Sequence, residues 1–152
     1  MSYADLLQIA IHEAGHCVVG IALEHKVEVV TVSAGGGRML FERPIVEPTH
    51  NVAISVAGLL AEHRDEHGPF KTFMPRRNEL ESDFGFIQEA LSAAPRQCDW
   101  SEHPTYKRGV RLADDLLRSN WHAVGTVARA LSRRGTLTGA EINKLLGKHE
   151  AA

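Results

Sequence analysis

Two imidazoles and a carboxylate interrupt the most apolar stretch of this sequence. His12, Glu13 and His16 stand among Leu6, Leu7, Ile9, Ala10, Ile11, Val18, Val19 and Ile21. If the stretch is helical, each residue turns by about 100°, so His12 and His16 point the same way and Glu13 lies on the flank of their face. Two imidazoles placed in this way can hold one divalent cation while the carboxylate reaches a water bound to it. Burying such groups among aliphatic side chains is costly unless something binds them, and a cation would.

The spacing is that of the H-E-x-x-H pattern, in which the histidines are zinc ligands and the glutamate is a general base. Zinc polarises a carbonyl and lowers the pKa of its bound water to roughly 7, and Glu13 can pass the proton of that water to a leaving amine. The chemistry this predicts is peptide-bond hydrolysis with one Zn2+ ion. An aspartate at position 13 would be too short for the task. The longer extension that supplies a third histidine is absent, since Val19 and Ala22 fill its places. A third protein ligand is still needed, and the run Asn78-Glu79-Leu80-Glu81-Ser82-Asp83-Phe84 is where to look. Glu79 and Asp83 are four apart and share one face of a helix, so either can offer a carboxylate oxygen.

The elements that must position these groups follow from pattern. Ser2 and Asp5 make a capping box that opens a helix over residues 3–24. Residues 27–33 (VEVVTVS) and 38–42 flank Gly35-Gly36-Gly37 and predict a small hairpin or sheet, its glycines forming a flexible turn rather than a phosphate loop. An open strand edge beside the metal helix suits a peptide held in extended form. Thr49 is the expected cap of a second helix over residues 50–66, whose Ala53, Ala57 and Gly58 suit close packing against the first. His63 and His67, also four apart, read as a solvated helix end. Asn78 and Glu81 form another capping box, for a helix over residues 78–93, and residues 95–104 read as a loop that covers the site. Packing helices are expected from Thr105 and over residues 121–133. A third capping box, Thr138 with Glu141, opens a short closing helix that stops near Gly147. Trp100 and Trp121 read as core or rim.

The bulk properties narrow the class. A length of 152 residues, 43 % hydrophobic and 24 % charged, fits one domain over 1–152 with a single core. Seventeen basic against nineteen acidic residues give a net charge of -2, which advertises neither nucleic acid nor an anionic membrane. Cys17 and Cys98 sit in no metal or redox spacing, so Cys17 reads as a small buried residue and a reducing compartment is the default. The one long apolar segment contains His12, Glu13 and His16, so no membrane segment is expected and the location is cytoplasmic.

With the elements laid out, residues 12–20 (HEAGHCVVG) resemble the metal helix of the peptidase domain in FtsH-type ATP-dependent zinc metalloproteases. Residues 56–63 (VAGLLAEH) are similar to that domain's second helix, Glu81-Ser82-Asp83-Phe84 occupies the place of its Asn-Asp-Leu segment, and residues 137–146 (LTGAEINKLL) resemble its closing helix. The likeness spans most of the chain. It implies a mainly α, FtsH-peptidase-like fold with a small hairpin or sheet, zinc held by His12, His16 and Asp83, and Glu13 as base. Residues 78–83 also resemble the thermolysin-like pattern of a glutamate ligand followed by Ser-Asp, which would give Glu79 the role. Those enzymes place that glutamate much nearer the first motif, so Asp83 is preferred. Family members carry an ATPase module and usually a membrane anchor ahead of this domain, and neither is found here. A separate ATPase or adaptor is thus an expected partner beside the polypeptide substrate. Two functions result: a zinc endopeptidase acting on flexible or unfolded polypeptide, or a peptide-binding domain that keeps the fold but lacks turnover or depends on a partner. The intact Glu13 favours the first.

Overall fold

The computed structural model describes residues 2–69, 73–75, 83, 87, 91 and 102–148. Helix α1 (Tyr3–Ala22) opens on the expected capping box: the Ser2 hydroxyl accepts the Asp5 N–H, and the Asp5 carboxylate accepts the Ser2 N–H. Two backbone donors that the helix leaves orphaned are satisfied in this way. The helix ends two residues earlier than periodicity alone predicts. There the chain turns left-handed at Glu24, φ 68°, and the His25 N–H returns to the Gly20 carbonyl at 2.9 Å.

Strands β1 (Val27–Ser33) and β2 (Gly36–Phe41) form the expected antiparallel hairpin, but β2 begins two residues earlier than expected, so Gly36, at φ 123°, and Gly37 pair with Ser33 and Val32 and the turn is shorter than the glycine run. A bulge between Val27 and Val29 takes Glu28 out of register, which is why Val27, Val30 and Val32 all face the core despite their unequal spacing. A third strand, β3 (Thr136–Thr138), was not anticipated. It pairs antiparallel on the other side of β1, Leu137 opposite Val30, and gives the order β2-β1-β3. Three residues are too few to show a period of two, so β3 is defined by its partner rather than by its own pattern.

Helix α2 (Pro48–His67) begins earlier than expected, and its cap is Glu47 rather than Thr49. The Glu47 carboxylate accepts the His50 N–H at 2.7 Å, and Pro48 takes the first helical position, where its missing N–H costs nothing. Helices α1 and α2 run antiparallel and close. A Cβ on Gly15 would stand 2.7 Å from the Ala57 carbonyl oxygen and 2.8 Å from the Ala61 Cβ. Helix α3 (Pro104–Ser119) packs on α2 and buries Tyr106, Val110, Ala113 and Leu117, and α4 (Trp121–Arg134) packs on α1 and buries Val124, Val127, Ala128 and Leu131. Helix α5 (Gly139–Leu145) opens on the third capping box as expected, Thr138 with Glu141.

The fold is mainly helical with a small three-stranded antiparallel sheet. Its core joins Val19 of α1, Val30 of β1, Val52 and Val56 of α2, Leu131 of α4 and Ile142 of α5, and Cys17 is buried there as expected. No helix among the described residues is long and apolar enough to cross a membrane. His63 departs from its expected place at a solvated helix end. Its ring stacks on Phe73, centroids 4.3 Å apart, because the chain beyond α2 returns over it; His67 alone is exposed. Trp121 is a rim residue, with the Arg64 guanidinium 5.3 Å above its ring. The predicted helix over 78–93, apart from Asp83, Ile87 and Leu91, lies outside the described residues, as do Glu79, Cys98, Trp100 and most of the loop over 95–104.

Candidate metal centre

One helical turn separates His12 from His16 on α1, and the two rings meet as the pattern predicts. Their Nε2 atoms are 3.0 Å apart, and Asp83 Oδ2 lies 3.5 Å from each. Among the described residues this is the one group of three side chains with ligand atoms close enough to share an ion. Ile87 and Leu91, four and eight residues past Asp83, are themselves buried in the core.

The outer ring nitrogens decide what the inner ones are. His16 Nδ1 faces the Ile54 carbonyl oxygen at 2.6 Å, and a carbonyl only accepts, so Nδ1 carries the proton. His12 Nδ1 faces Glu62 Oε2 at 2.9 Å and donates to it in the same way. In the neutral rings both Nε2 atoms are therefore lone pairs, aimed at each other and at a carboxylate oxygen. Three electron-rich atoms at 3.0–3.5 Å repel unless positive charge stands between them. Ligands held about 2.0–2.1 Å from one tetrahedral zinc ion lie about 3.3 Å apart, so the donor set and its spacing fit that ion.

The electrostatics agree. Burial resists a charge on His12, yet the Asp83 and Glu62 carboxylates overcome it and lift its pKa to about 10. Burial likewise opposes charge on Asp83, and the two imidazoles hold its carboxyl far below the ordinary carboxylate range. The pocket thus demands a positive charge at the point where a metal ion would sit. His16 is buried, while His12 and Asp83 keep 24 % and 17 % of their side-chain surface exposed. A site open on one side leaves room for a substrate atom, as catalytic zinc sites do and closed structural ones do not.

Two glycines make space for this arrangement. A Cβ on Gly58 of α2 would stand 2.5 Å from His12 Nε2 and 2.6 Å from His16 Nε2, so only glycine leaves the pocket clear. On the other flank, a Cβ on Gly37 of β2 would stand 2.4 Å from Glu13 Cγ and 2.7 Å from its Oε1. The edge strand therefore runs directly against the buried Glu13 side chain. Burial raises the Glu13 pKa, with His16 and His12 pulling the other way.

No protein-family model matches this sequence, and no curated protein is similar enough to count as a match.

The sequence left Glu62 and the Ile54 carbonyl unseen, although they fix both imidazole tautomers. Gly58 and Glu62, four apart on α2, are the signal that was available, for they place a gap and a carboxylate on the same helix face. Removing Asp83 tests the third ligand. Asp83→Ala should weaken zinc binding by more than the roughly 10–100-fold that loss of an outer partner costs, read by competition with a chelating dye. Undiminished zinc in Asp83→Ala together with its loss in Glu79→Ala would transfer the role to Glu79.

Proposed function

We propose that this chain is a zinc-dependent endopeptidase that hydrolyses peptide bonds in flexible or unfolded polypeptide, similar to the peptidase domain of FtsH-type proteases. The observation that carries the reading is the convergence of a carboxylate oxygen and two imidazole nitrogens, each ring turned inward by an outer hydrogen bond, with a buried carboxylate on the next residue of the same helix. His12, His16 and Asp83 would hold the ion. Bound there, zinc supplies Lewis acidity toward the scissile carbonyl and acidifies the attacking water.

The chain's own groups do the rest. Strand β2 is an edge strand, so its outer backbone groups can pair with an extended polypeptide and hold it by main-chain hydrogen bonds. Because Gly37 lies against Glu13, a peptide laid along that strand passes the carboxylate. Glu13 takes a proton from the attacking water on a carboxylate oxygen and delivers it to the nitrogen that leaves as the amine. Glu62 and the Ile54 carbonyl keep the rings oriented meanwhile. The requirement for flexible polypeptide follows from edge pairing, since a folded substrate has no free strand to offer. The reading also includes a reducing, cytoplasmic setting and supply of unfolded chains by a separate ATPase or adaptor.

The test is metal analysis of the purified protein combined with casein hydrolysis, with and without a chelator. One zinc per chain and proteolysis that stops on chelation and returns with zinc are expected. Casein binding without cleavage would identify the non-catalytic peptide-binding domain instead, and a protein that takes up no zinc would remove the peptidase reading.

A further inference from the structure

A second pair of imidazoles meets at the far end of α1. His25 Nε2 and His50 Nδ1 are 2.9 Å apart, with ring planes at 85°. His25 follows α1 and His50 lies in the first turn of α2, so the pair joins two elements. The backbone turn that presents His25 uses a left-handed conformation at Glu24, φ 68°, which disfavours any residue with a Cβ. Phe41 meets the His25 ring edge-on, centroids 6.2 Å apart, and limits its rotation. Glu47 Oε2 stands 3.8 Å from His50 Nε2, and the tautomer with the ring proton on that nitrogen presents Nδ1 as a lone pair toward His25. Burial and the neighbouring His50 push the His25 pKa down against the pull of Glu47, in the direction of the neutral ring that can ligate a metal.

We propose that His25 and His50 form a second cation site, independent of His12, His16 and Asp83, suited to a late divalent metal of the copper(II) or nickel(II) class. Ligand chemistry points to the class: imidazole nitrogen suits these ions, and affinity for such sites rises along the divalent first-row series through nickel(II) to copper(II). With metal–nitrogen bonds of about 2.0–2.1 Å, nitrogens 2.9 Å apart can both reach one ion. The Glu47 carboxylate is engaged by the His50 N–H at 2.7 Å and is not a third ligand, so water fills the remaining positions. The His50 side chain is 32 % exposed, which leaves the pair open to a hydrated ion. Such a site binds reversibly, and when filled it ties the start of β1 to the start of α2.

Nickel(II) stoichiometry of the full chain, measured by equilibrium dialysis with metal analysis, tests this directly. His50→Gln and His25→Gln should each bind one equivalent fewer than the parent, whereas Asp83→Ala, with the first site crippled, should retain that equivalent. Glutamine keeps a polar side chain at both positions, and far-UV circular dichroism confirms that each variant is folded. Equal stoichiometry in the parent and in both histidine variants overturns the proposal. A parent whose only equivalent disappears with Asp83→Ala overturns it too. Loss of the second equivalent in a protein that takes no zinc at its first site would uphold this inference while removing the peptidase reading.

Discussion

Glu13→Gln should retain zinc and fold normally while hydrolysing casein about 10²–10⁴-fold more slowly than the parent, the usual worth of a positioned proton carrier. The amide matches the carboxylate in size, so it fits beneath Gly37, where a Cβ would already be 2.4 Å from the Glu13 side chain. Neither His12 nor His16 depends on Glu13 for its outer hydrogen bond, since those go to Glu62 and Ile54. What the amide lacks is a site for the proton of the attacking water. The stability effect has a definite sign. Burial raises the Glu13 pKa, so the fold disfavours its charged form, and that penalty is present above the folded pKa and fades as pH falls through it. The neutral amide carries no such penalty, so at neutral pH the variant should melt no lower than the parent. Casein turnover at the parent rate would take Glu13 out of the reaction. Lost zinc would mean that Glu13 supports the ligands instead.

What was legible in the sequence is what depends on neighbours along the chain. The i, i+4 spacing of His12 and His16, the capping boxes at Ser2 and Thr138, and the glycine-punctuated hairpin are local facts, and each stands where the pattern put it. The start of α2 was also locally determined but misread. Thr49 is a good cap by residue type, yet Pro48 can occupy only the first turn of a helix, which moves the cap back to Glu47. Asp83 is a different case. Asp83 lies 67 residues beyond His16, which leaves its position free as far as spacing is concerned, and only the family resemblance chose it over Glu79; the fold sets its Oδ2 3.5 Å from both histidines. Glu62 and the Ile54 carbonyl could not be read at all, because their roles exist only once α1 and α2 cross antiparallel at Gly15. Strand β3 has the same origin, since three residues acquire a secondary structure only from β1 beside them.

That crossing also yields the sharpest separation of site from scaffold. Gly58 lies inside α2, where alanine would favour the helix by about 1 kcal/mol. Propensity alone therefore predicts that Gly58→Ala is stabilising. The Cβ, however, would stand 2.5 Å and 2.6 Å from the two Nε2 atoms, closer than carbon and nitrogen tolerate, so the rings must swing away. In swinging, His12 gives up Glu62 at 2.9 Å and His16 gives up the Ile54 carbonyl at 2.6 Å. Loss of one such outer partner weakens a metal site by roughly 10–100-fold, and here both go while the space for the ion closes. Zinc affinity should consequently fall by more than about 100-fold, with hydrolysis falling alongside it, whereas the melting temperature in chelator should change far less, because the helical gain of about 1 kcal/mol offsets part of the cost of the two lost hydrogen bonds. Gly15→Ala is the contrasting variant. Its Cβ meets the Ala57 carbonyl oxygen at 2.7 Å, a backbone atom that cannot move aside, and overpacking of this kind costs about 1–3 kcal/mol. Gly15→Ala should lose stability equally with and without chelator. If Gly58→Ala behaves in that way too, and keeps its zinc, the residue belongs to helix packing and the pocket between the imidazoles is not where the ion binds.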